Sequence, residues 1–244
     1  MATALVTGAA RRVGAATVLE LASVGFDVAI HYNGSDDEAE QVAEQARKYG
    51  VEAWTIQADL ADRAQIAHLV ECVQARWKTL DLLVNNASLF SPTPFNEIDD
   101  AAWDKMLGVN LSAPFFLCRD LMQQLRSSQM KGGALVVHMA DIGAERPLSG
   151  YAHYSVSKAG LVMLMRAMAV ELGPEIRSVA VCPGHVAWPE DWSETMRARL
   201  SARVPLERIG EPEDVARLIR FLAVEGCYLN GDTINVDGGL AARY

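Results

Sequence analysis

The sequence predicts an α/β fold, namely a single doubly wound parallel sheet of about seven strands with helices on both faces. Two observations carry this prediction. Short runs with the character of strands alternate with helical stretches from end to end of the 244 residues. Some of the runs are short and wholly apolar, as in ALVV at residues 134–137, which is typical of a sheet covered on both faces. Strict β-α-β alternation implies right-handed crossovers and therefore parallel strands.

The predicted strands are the short runs, and the predicted helices are the longer stretches between them. Strands are predicted at residues 3–7, 27–32, 53–57, 81–85, 134–139, 178–181 and 233–236. Helices are predicted at residues 13–24, 36–49, 63–77, 99–125, 152–172 and 212–224. No repeat, linker or low-complexity tract separates these elements, so we expect one domain over residues 1–244.

One stretch, residues 183–205, interrupts the alternation and carries Trp188, Pro189 and Trp192. We expect a flap at about residues 185–205, beside a substrate, with His185 and Trp188 at the mouth of the site. None of the five histidines has the spacing of metal ligands, so no metal site is predicted.

Composition and charge exclude several classes of protein. The 22 Lys and Arg residues against 31 Asp and Glu give a net charge of −9, which argues against nucleic acid or an anionic membrane as the main partner. The four cysteines form no C-x-x-C pair and predict core thiols in a reducing compartment. No apolar run reaches the roughly 18 residues of a membrane span. Met1 leads almost directly into the first strand, without a signal peptide, so a cytoplasmic location is expected.

Tyr154 and Lys158 are four residues apart, and on a helix this spacing places both side chains on one face. A cation beside a phenol lowers its pKa from the usual value of about 10, so Tyr154 is predicted to donate a proton near neutral pH. Taken alone, this pair is more often a surface tyrosine beside a solvated lysine. Asp141, thirteen residues before the tyrosine, and the rest of the chain favour the catalytic interpretation.

The first strand runs into TGAARRVG at residues 7–14, and a predicted helix follows. Glycines such as Gly8 and Gly14 in a strand-to-helix turn let the backbone approach a pyrophosphate, and the helix N-terminus favours the anion. The alternative is an ordinary glycine turn. Its place directly after the first strand favours nucleotide binding.

The residues after the second strand bear on the choice of nucleotide. They include Tyr32, Asn33 and Ser35. A carboxylate that would bind a ribose 2′-hydroxyl is missing until Asp36, whereas Arg11 in the glycine turn could pair with a 2′-phosphate. This pattern favours NADPH over NADH, although Arg11 could also be merely solvated. Asp59 and Leu60 follow the third strand, where an adenine would lie, and Asp59 could equally cap the next helix.

Together these residues resemble the short-chain dehydrogenase/reductase family. The positions that carry the resemblance span the whole chain and are Gly8, Gly14, Asp59, Asn85, Asn86, Ala87, Asn110, Tyr154, Lys158, Pro183, Gly184 and the VDGG segment at residues 236–239. The resemblance implies a Rossmann-type sheet and hydride transfer with a nicotinamide cofactor. It implies that Tyr154 donates the proton and that Lys158 holds the ribose and lowers the tyrosine pKa. It also implies that Asn110 shapes a helix and anchors a water in the proton relay, and that a homotetramer forms.

Two departures from the common family pattern narrow the resemblance. Arg12 stands at the middle glycine of the turn, and Asp141 stands where the family usually has a catalytic serine. Both changes, together with NASLFSPTP at residues 86–94, resemble the pteridine reductases and dihydromonapterin reductases. That resemblance implies that Phe90 stacks on a pterin ring, that Ser88 hydrogen-bonds ligand, and that Arg12 reaches both the cofactor phosphates and the pterin. Gly34 stands where this subgroup often has an arginine, which leaves Ser35 and Arg11 for a 2′-phosphate.

The chemistry of a pterin agrees with these residue types. A flat aromatic ring needs a stacking partner such as Phe90. A carboxylic acid beside Tyr154 can relay a proton to a ring nitrogen, and burial would raise the pKa of Asp141. Each residue also has a simpler interpretation, because Asp141 could cap a helix, Phe90 could belong to the core, and Arg12 could be a surface residue.

The sequence therefore predicts NADPH-dependent reduction of a dihydropterin to a tetrahydropterin, with dihydrofolate as a possible secondary substrate. The first alternative is a reductase of another carbonyl or quinone compound, in which Asp141 has drifted from the serine role. A non-catalytic NADP(H)-sensing protein is an alternative of a different class, and the intact Tyr154, Lys158 and Asn110 argue against it.

Overall fold

The computed structural model describes residues 1–187 and 193–243. Its strands are β1 at Ala2–Val6, β2 at Phe26–Tyr32, β3 at Ala53–Gln57, β4 at Leu82–Asn85, β5 at Ala134–Met139, β6 at Ile176–Pro183 and β7 at Thr233–Val236. They form one seven-stranded sheet in the order β3-β2-β1-β4-β5-β6-β7, and each neighbouring pair is parallel. The predicted doubly wound parallel sheet is confirmed.

The helices cover both faces of this sheet. They are α1 at Arg12–Ser23, α2 at Asp36–Arg47, α3 at Arg63–Arg76, α4 at Asp100–Leu107, α5 at Ala113–Asp120, α6 at Met122–Arg126, α7 at Ala152–Glu171, α8 at Glu194–Ser201 and α9 at Pro212–Val224. One core joins the sheet to α1, α2 and α9, and a second joins it to α3, α5 and α7. Successive residues of a strand face opposite sides, so Leu5 belongs to the second core and Val6 to the first.

The single long helix predicted at residues 99–125 is wrong in one respect, because the chain forms α4, α5 and α6 with a π-helical turn at Gly108–Ser112 between the first two. Pro114, in the first turn of α5, has no N–H to donate to the carbonyl four residues earlier. That carbonyl belongs to Asn110, which lies buried within the π turn. Such turns occur frequently at functional sites, and here the interruption coincides with a predicted site residue.

Helix α8 begins within the stretch predicted as a flap, and the sequence analysis did not identify it. Ser193 caps it, since its hydroxyl accepts a hydrogen bond from the Met196 N–H at 3.3 Å. The helix buries none of its residues, so it lacks the apolar stripe by which amphipathic helices are recognised. Trp188, Pro189 and Trp192 of the predicted flap lie outside the described residues.

The strand order reverses beside β1, whose neighbours are β2 and β4. In open α/β sheets the crevice at such a switch point, beyond the carboxyl ends of the strands, is where ligands bind. The predicted site residues follow these strand ends: Gly8 after β1, Asn86 after β4, Asp141 after β5 and Gly184 after β6. Among the described helices, none is both long enough and apolar enough to cross a membrane.

Candidate active site

The glycine turn after β1 packs directly against the residues after β4. A Cβ atom on Gly8 would lie 2.8 Å from Ala87 Cα, and one on Gly14 would lie 2.4 Å from the Gly8 oxygen. The Asn86 side-chain amide donates to the carbonyls of Thr7 and Gly8 at 2.8 and 2.9 Å. Only glycine fits at these two positions, and the turn ends at the N-terminus of α1, so its geometry fits a pyrophosphate.

The two arginines of the turn differ in conformation. Arg12 has φ +53°, in the left-handed region that non-glycine residues rarely adopt, at the position where the family usually has glycine. Arg11 has extended backbone, and its guanidinium forms an ion pair with Glu38 in the first turn of α2. Its role toward a 2′-phosphate stays a prediction, because in this structure the guanidinium already has an anionic partner.

The corner predicted to hold the adenosine is built by the ends of β2 and β3. Ser35 precedes α2 without capping it through its side chain, and Asn33 accepts a hydrogen bond from Gln57 at 3.1 Å. Asp59 accepts from the Ala61 N–H at 2.9 Å in the turn before α3, and the alternative that it caps this helix is wrong because Asp62 is the cap. The side chain of Leu60 is buried in the second core, so its role in binding the cofactor stays a prediction. Tyr32 is half-buried at the end of β2.

Helix α7 places Tyr154 and Lys158 on one buried face, as the sequence predicts. The phenol oxygen of Tyr154 donates a hydrogen bond to Asp141 Oδ2 at 3.0 Å. The Lys158 ammonium donates to the Met139 carbonyl at 2.7 Å and lies 5.7 Å from the Tyr154 ring centroid. The side chains of Tyr154, Lys158 and Asp141 therefore form one cluster beyond the end of β5.

The prediction that Lys158 lowers the tyrosine pKa is wrong for this structure. The pKa of Tyr154 is raised, chiefly by burial and then by the charge and hydrogen bond of Asp141. The ammonium faces a backbone carbonyl and makes no hydrogen bond to the phenol, so it does not offset these effects. Burial also lowers the pKa of Lys158 to about 8.

Asp141 combines the two roles that the sequence left open. Its Oδ1 accepts from the Gly143 N–H at 2.5 Å and caps the short 3₁₀ turn Ile142–Ala144, while its Oδ2 accepts from Tyr154. Burial raises the pKa of this carboxyl, against the opposing effects of Gly143, Tyr154, Lys158 and His185. The direction agrees with the prediction, so the carboxyl beside the phenol keeps its proton to a higher pH than an ordinary aspartate does.

Asn110 holds the segment after β4 against α7. Its Oδ1 accepts from the Leu89 N–H at 2.8 Å, and its Nδ2 donates to the Leu89 carbonyl at 3.0 Å and to Ser157 Oγ at 3.1 Å. The hydroxyl of Ser88 donates to the same Oδ1 at 3.3 Å. Asn110 therefore positions the predicted substrate-binding residues Ser88 and Phe90, and its location in the π turn agrees with a role in shaping the helix.

Phe90 is not a core residue, since 56% of it is exposed. Its ring stacks on Tyr151, with centroids 4.4 Å apart and an interplanar angle of 16°, and meets Tyr154 edge to face at 4.8 Å. The sequence analysis missed Tyr151. Its position three residues before Tyr154, at the start of the same helix, is the feature that could have identified it.

Pro183 and Gly184 lie at the end of β6. A Cβ on Gly184 would lie 2.8 Å from Asp237 Cβ, so this glycine allows the chain to pass close to the residues after β7. The sequence analysis also missed His31, whose buried ring contacts Gly8 of the turn.

This fold and site define a class: an oxidoreductase with a nucleotide-binding turn and a Tyr-Lys pair at the ends of parallel strands. A family model described as "Enoyl-(Acyl carrier protein) reductase" matches residues 8–241. The chain is 33% identical over 241 residues to 3-oxoacyl-[acyl-carrier-protein] reductase FabG of Staphylococcus epidermidis, covering 97% of this chain and 98% of that protein. The chain belongs to the short-chain dehydrogenase/reductase family.

Two solved structures agree with this assignment. A short-chain dehydrogenase/reductase from Serratia marcescens matches with a TM-score of 0.90 and 34% identity, over 98% of both chains. A blue fluorescent protein from a metagenomic library, in complex with NADPH, matches with a TM-score of 0.89 and 31% identity, again over 98% of both chains. The names of these relatives do not indicate pterins.

Proposed function

We propose that this chain is an NADPH-dependent reductase of a pterin, converting a dihydropterin to a tetrahydropterin, with dihydrofolate as a secondary substrate. One observation carries the proposal. A half-buried carboxyl group, Asp141, occupies the position of the usual family serine, and its Oδ2 lies 3.0 Å from the phenol oxygen of Tyr154. A serine hydroxyl suits a ketone oxygen, whereas a carboxyl-phenol pair suits a basic ring nitrogen.

The proton chemistry follows from this pair. When bound, a nicotinamide cofactor would supply the hydride for a ring carbon of the substrate. Tyr154 holds the proton for the adjacent ring nitrogen, and Asp141 is placed to return a proton to the phenolate through their shared hydrogen bond. Because burial raises the pKa of the Asp141 carboxyl, its protonated form persists above the pH at which an ordinary aspartate ionises. Lys158 keeps a positive charge near the developing phenolate.

The aromatic residues support a flat substrate. Phe90 stands out from the core, beside the Tyr154 that would deliver the proton. A planar ring stacked on Phe90 would therefore lie next to the proton donor. Ser88, two residues before Phe90, and Arg12 of the glycine turn would supply polar groups for the edge of such a ring.

The choice of NADPH has two supports. Asn33 stands after β2 in place of a carboxylate that would bind a ribose 2′-hydroxyl. The blue fluorescent protein described above, similar over nearly its whole length, is solved with NADPH. Gly8, Gly14 and Asn86 would hold the pyrophosphate end, and Lys158 the nicotinamide ribose.

The comparisons favour a second candidate, the reduction of a carbonyl compound. The similar Staphylococcus epidermidis protein is named a 3-oxoacyl-[acyl-carrier-protein] reductase, and a similar solved structure from Salmonella typhimurium is named acetoin dehydrogenase YohF. In this candidate a protonated Asp141 donates a hydrogen bond to the carbonyl oxygen, as the serine does elsewhere in the family.

A substrate panel with two variants separates the candidates. Oxidation of NADPH is followed with dihydrobiopterin, dihydromonapterin, dihydrofolate, a 3-oxoacyl thioester, small ketones and quinones. Pterin turnover that is lost in Tyr154→Phe and in Asp141→Ser supports the first candidate. Turnover of a ketone or thioester alone, retained or raised in Asp141→Ser, would replace it with the second. Asp27→Ala is the matched control, because Asp27 lies at the start of β2, at the opposite end of the sheet from the site, where it accepts a hydrogen bond from the Glu52 N–H at 2.7 Å.

We also propose a homotetramer, as the family resemblance implies. Helices α5 and α7 expose apolar side chains at Phe115, Val156, Met163 and Val170, and their burial between subunits would remove them from water. Light scattering of the purified protein tests this assembly, and a monomer at micromolar concentration would contradict it. The reducing cytoplasm stays the predicted location, and the four cysteines are free in this structure.

A further inference from the structure

The ring of His31 links the glycine turn to the end of β3. His31 is the last residue but one of β2, and 2% of it is exposed. Its Nδ1 accepts a hydrogen bond from the Gly8 N–H at 3.1 Å, and its Nε2 lies 3.0 Å from the Ala58 carbonyl oxygen. Its backbone carbonyl accepts from the Ala9 N–H at 2.8 Å. The N–H groups of Gly8 and Ala9 therefore both donate hydrogen bonds to this histidine.

The two contacts of the ring fix its protonation. The Ala58 carbonyl can only accept, so Nε2 carries the proton and the lone pair of Nδ1 points to Gly8. Burial lowers the pKa of His31 to about 4, which keeps the ring neutral near neutral pH. The histidine is thus a fixed acceptor for the Gly8 N–H.

Gly8 needs such a partner because glycine adopts positive and negative φ values about equally readily. Here its φ is +60°, and Ala87 leaves no room for a side chain. The hydrogen bond to His31 selects one of the conformations open to the glycine. Without an acceptor, the Gly8 N–H in this half-buried turn would be left unpaired, and rotation of the turn would relieve that cost. Such a rotation displaces the backbone that precedes the N-terminus of α1.

We propose that His31 is a positioning residue for the cofactor: by accepting the Gly8 N–H it holds the turn in the conformation that receives the pyrophosphate. It acts through Gly8 and does not itself contact the ligand. The same ring bonds Ala58, next to Asp59 at the predicted adenine end, so it couples two parts of the nucleotide site.

The test compares two substitutions at this position by fluorescence titration with NADPH, which needs no substrate. His31→Asn keeps a short acceptor for the Gly8 N–H, whereas His31→Leu fills similar space without one. We expect the Kd for NADPH to rise about tenfold in His31→Leu, equivalent to about 1.4 kcal/mol, and to stay within about twofold in His31→Asn. Thermal unfolding of both variants is measured alongside.

Thr3→Val is the matched control for a general loss of stability. Thr3 lies at the opposite end of β1, and its hydroxyl donates to the Thr79 carbonyl at 2.8 Å. This variant should unfold more easily and bind NADPH with unchanged Kd. The proposal is overturned if folded His31→Leu binds NADPH as the parent does, or if His31→Asn loses as much affinity as His31→Leu. If His31→Leu does not fold, amide exchange of the parent decides: a protected Gly8 N–H is expected, and rapid exchange contradicts the proposal.

Discussion

The phenol of Tyr154 and the carboxyl of Asp141 are joined by a hydrogen bond of 3.0 Å. Burial raises the pKa of both groups, and Asp141 raises the pKa of the phenol further, whereas the hydrogen bond from Tyr154 opposes the rise at the carboxyl. Both groups therefore keep their protons to a higher pH than usual. This is the opposite of a tyrosine whose pKa is lowered by a neighbouring lysine. Several consequences can be measured.

The first concerns stability as a function of pH. The folded-state pKa of Asp141 lies above its ordinary value of 3.8, mainly because of burial. As pH rises from that value to the raised one, the unfolded chain loses this proton while the folded chain keeps it. The free energy of unfolding contributed by this group therefore falls with rising pH. Asparagine cannot titrate, so Asp141→Asn should lack this fall in the free energy of unfolding. Urea unfolding of both proteins at a series of pH values measures the difference.

Asp62→Asn is the control for this experiment, because the pKa shift of Asp62, and so its effect on stability as pH changes, is opposite to that of Asp141. Hydrogen bonds to Gln65 and to the Ala64 N–H lower the pKa of Asp62. Its contribution is present above the ordinary pKa and is lost as pH falls. Equal pH dependence in the parent protein and Asp141→Asn would contradict a raised pKa at this position.

The second prediction concerns the buried charge of Lys158. Burial lowers its pKa from 10.5 to about 8, so the folded state bears the cost of the charged form at pH 7. Removing the buried charge should stabilise the fold by more than the lost hydrogen bond to the Met139 carbonyl costs. Lys158→Met should therefore raise the free energy of unfolding at pH 7 by on the order of 2 kcal/mol. Turnover should be abolished, because the charge that the site requires is gone.

The same linkage gives this second prediction a pH dependence. Between pH 8 and 10.5 the folded lysine is neutral while the unfolded one is still charged, so the parent gains stability as pH rises. The advantage of Lys158→Met should shrink over that interval. Lys105→Met, on the exposed surface of α4, is the control and should change stability by no more than about 0.5 kcal/mol. A Lys158→Met variant less stable than its parent at pH 7 would refute the argument.

The third prediction concerns the ion pair between Arg11 and Glu38. Glu38 competes with a 2′-phosphate for the Arg11 guanidinium, and its negative charge also repels the phosphate. Glu38→Gln should lower the Kd for NADPH several-fold and leave the Kd for NADH nearly unchanged, with the difference shrinking at high salt. Glu40→Gln is the control, because Glu40 pairs with Arg47 on the same helix. Equal effects on both nucleotides would exclude Arg11 as a 2′-phosphate ligand.

Much of this fold was predictable, and the reasons are local. Helix α9 was predicted to the residue because Pro212 stands in its first turn, followed by Glu213 and Asp214. Strands β3, β5 and β7 were also predicted to the residue. The break in the predicted helix 99–125 precedes Pro114, which lacks the N–H that a continuous helix needs. The hydrogen bond from the Leu89 N–H to Asn110 in the π turn joins residues far apart in sequence, and periodicity does not reveal it.

The site was predictable in its residue types and less so in its electrostatics. Spacing alone placed Tyr154 and Lys158 on one face of a helix. The direction of the tyrosine pKa depends on burial and on where the ammonium points, and both are set by tertiary packing. For the same reason, the sequence gives no indication that Glu38 would meet Arg11 from another helix.

The fourth prediction tests the most unusual residue of the turn. Arg12 has φ +53°, and a non-glycine residue in this left-handed region costs roughly 1 kcal/mol. Glycine adopts the same conformation freely, so Arg12→Gly should raise the free energy of unfolding by up to about 1 kcal/mol. Strain that persists at a ligand-binding turn indicates that the side chain has a function there. The same variant should therefore bind NADPH, and the pterin if it is the substrate, several-fold more weakly.

Gly25 and Gly50 have positive φ in open space, and Gly25→Ala is a control that should lower stability without changing the Kd for NADPH. A variant that is both more stable and fully active would show that Arg12 is only a surface residue.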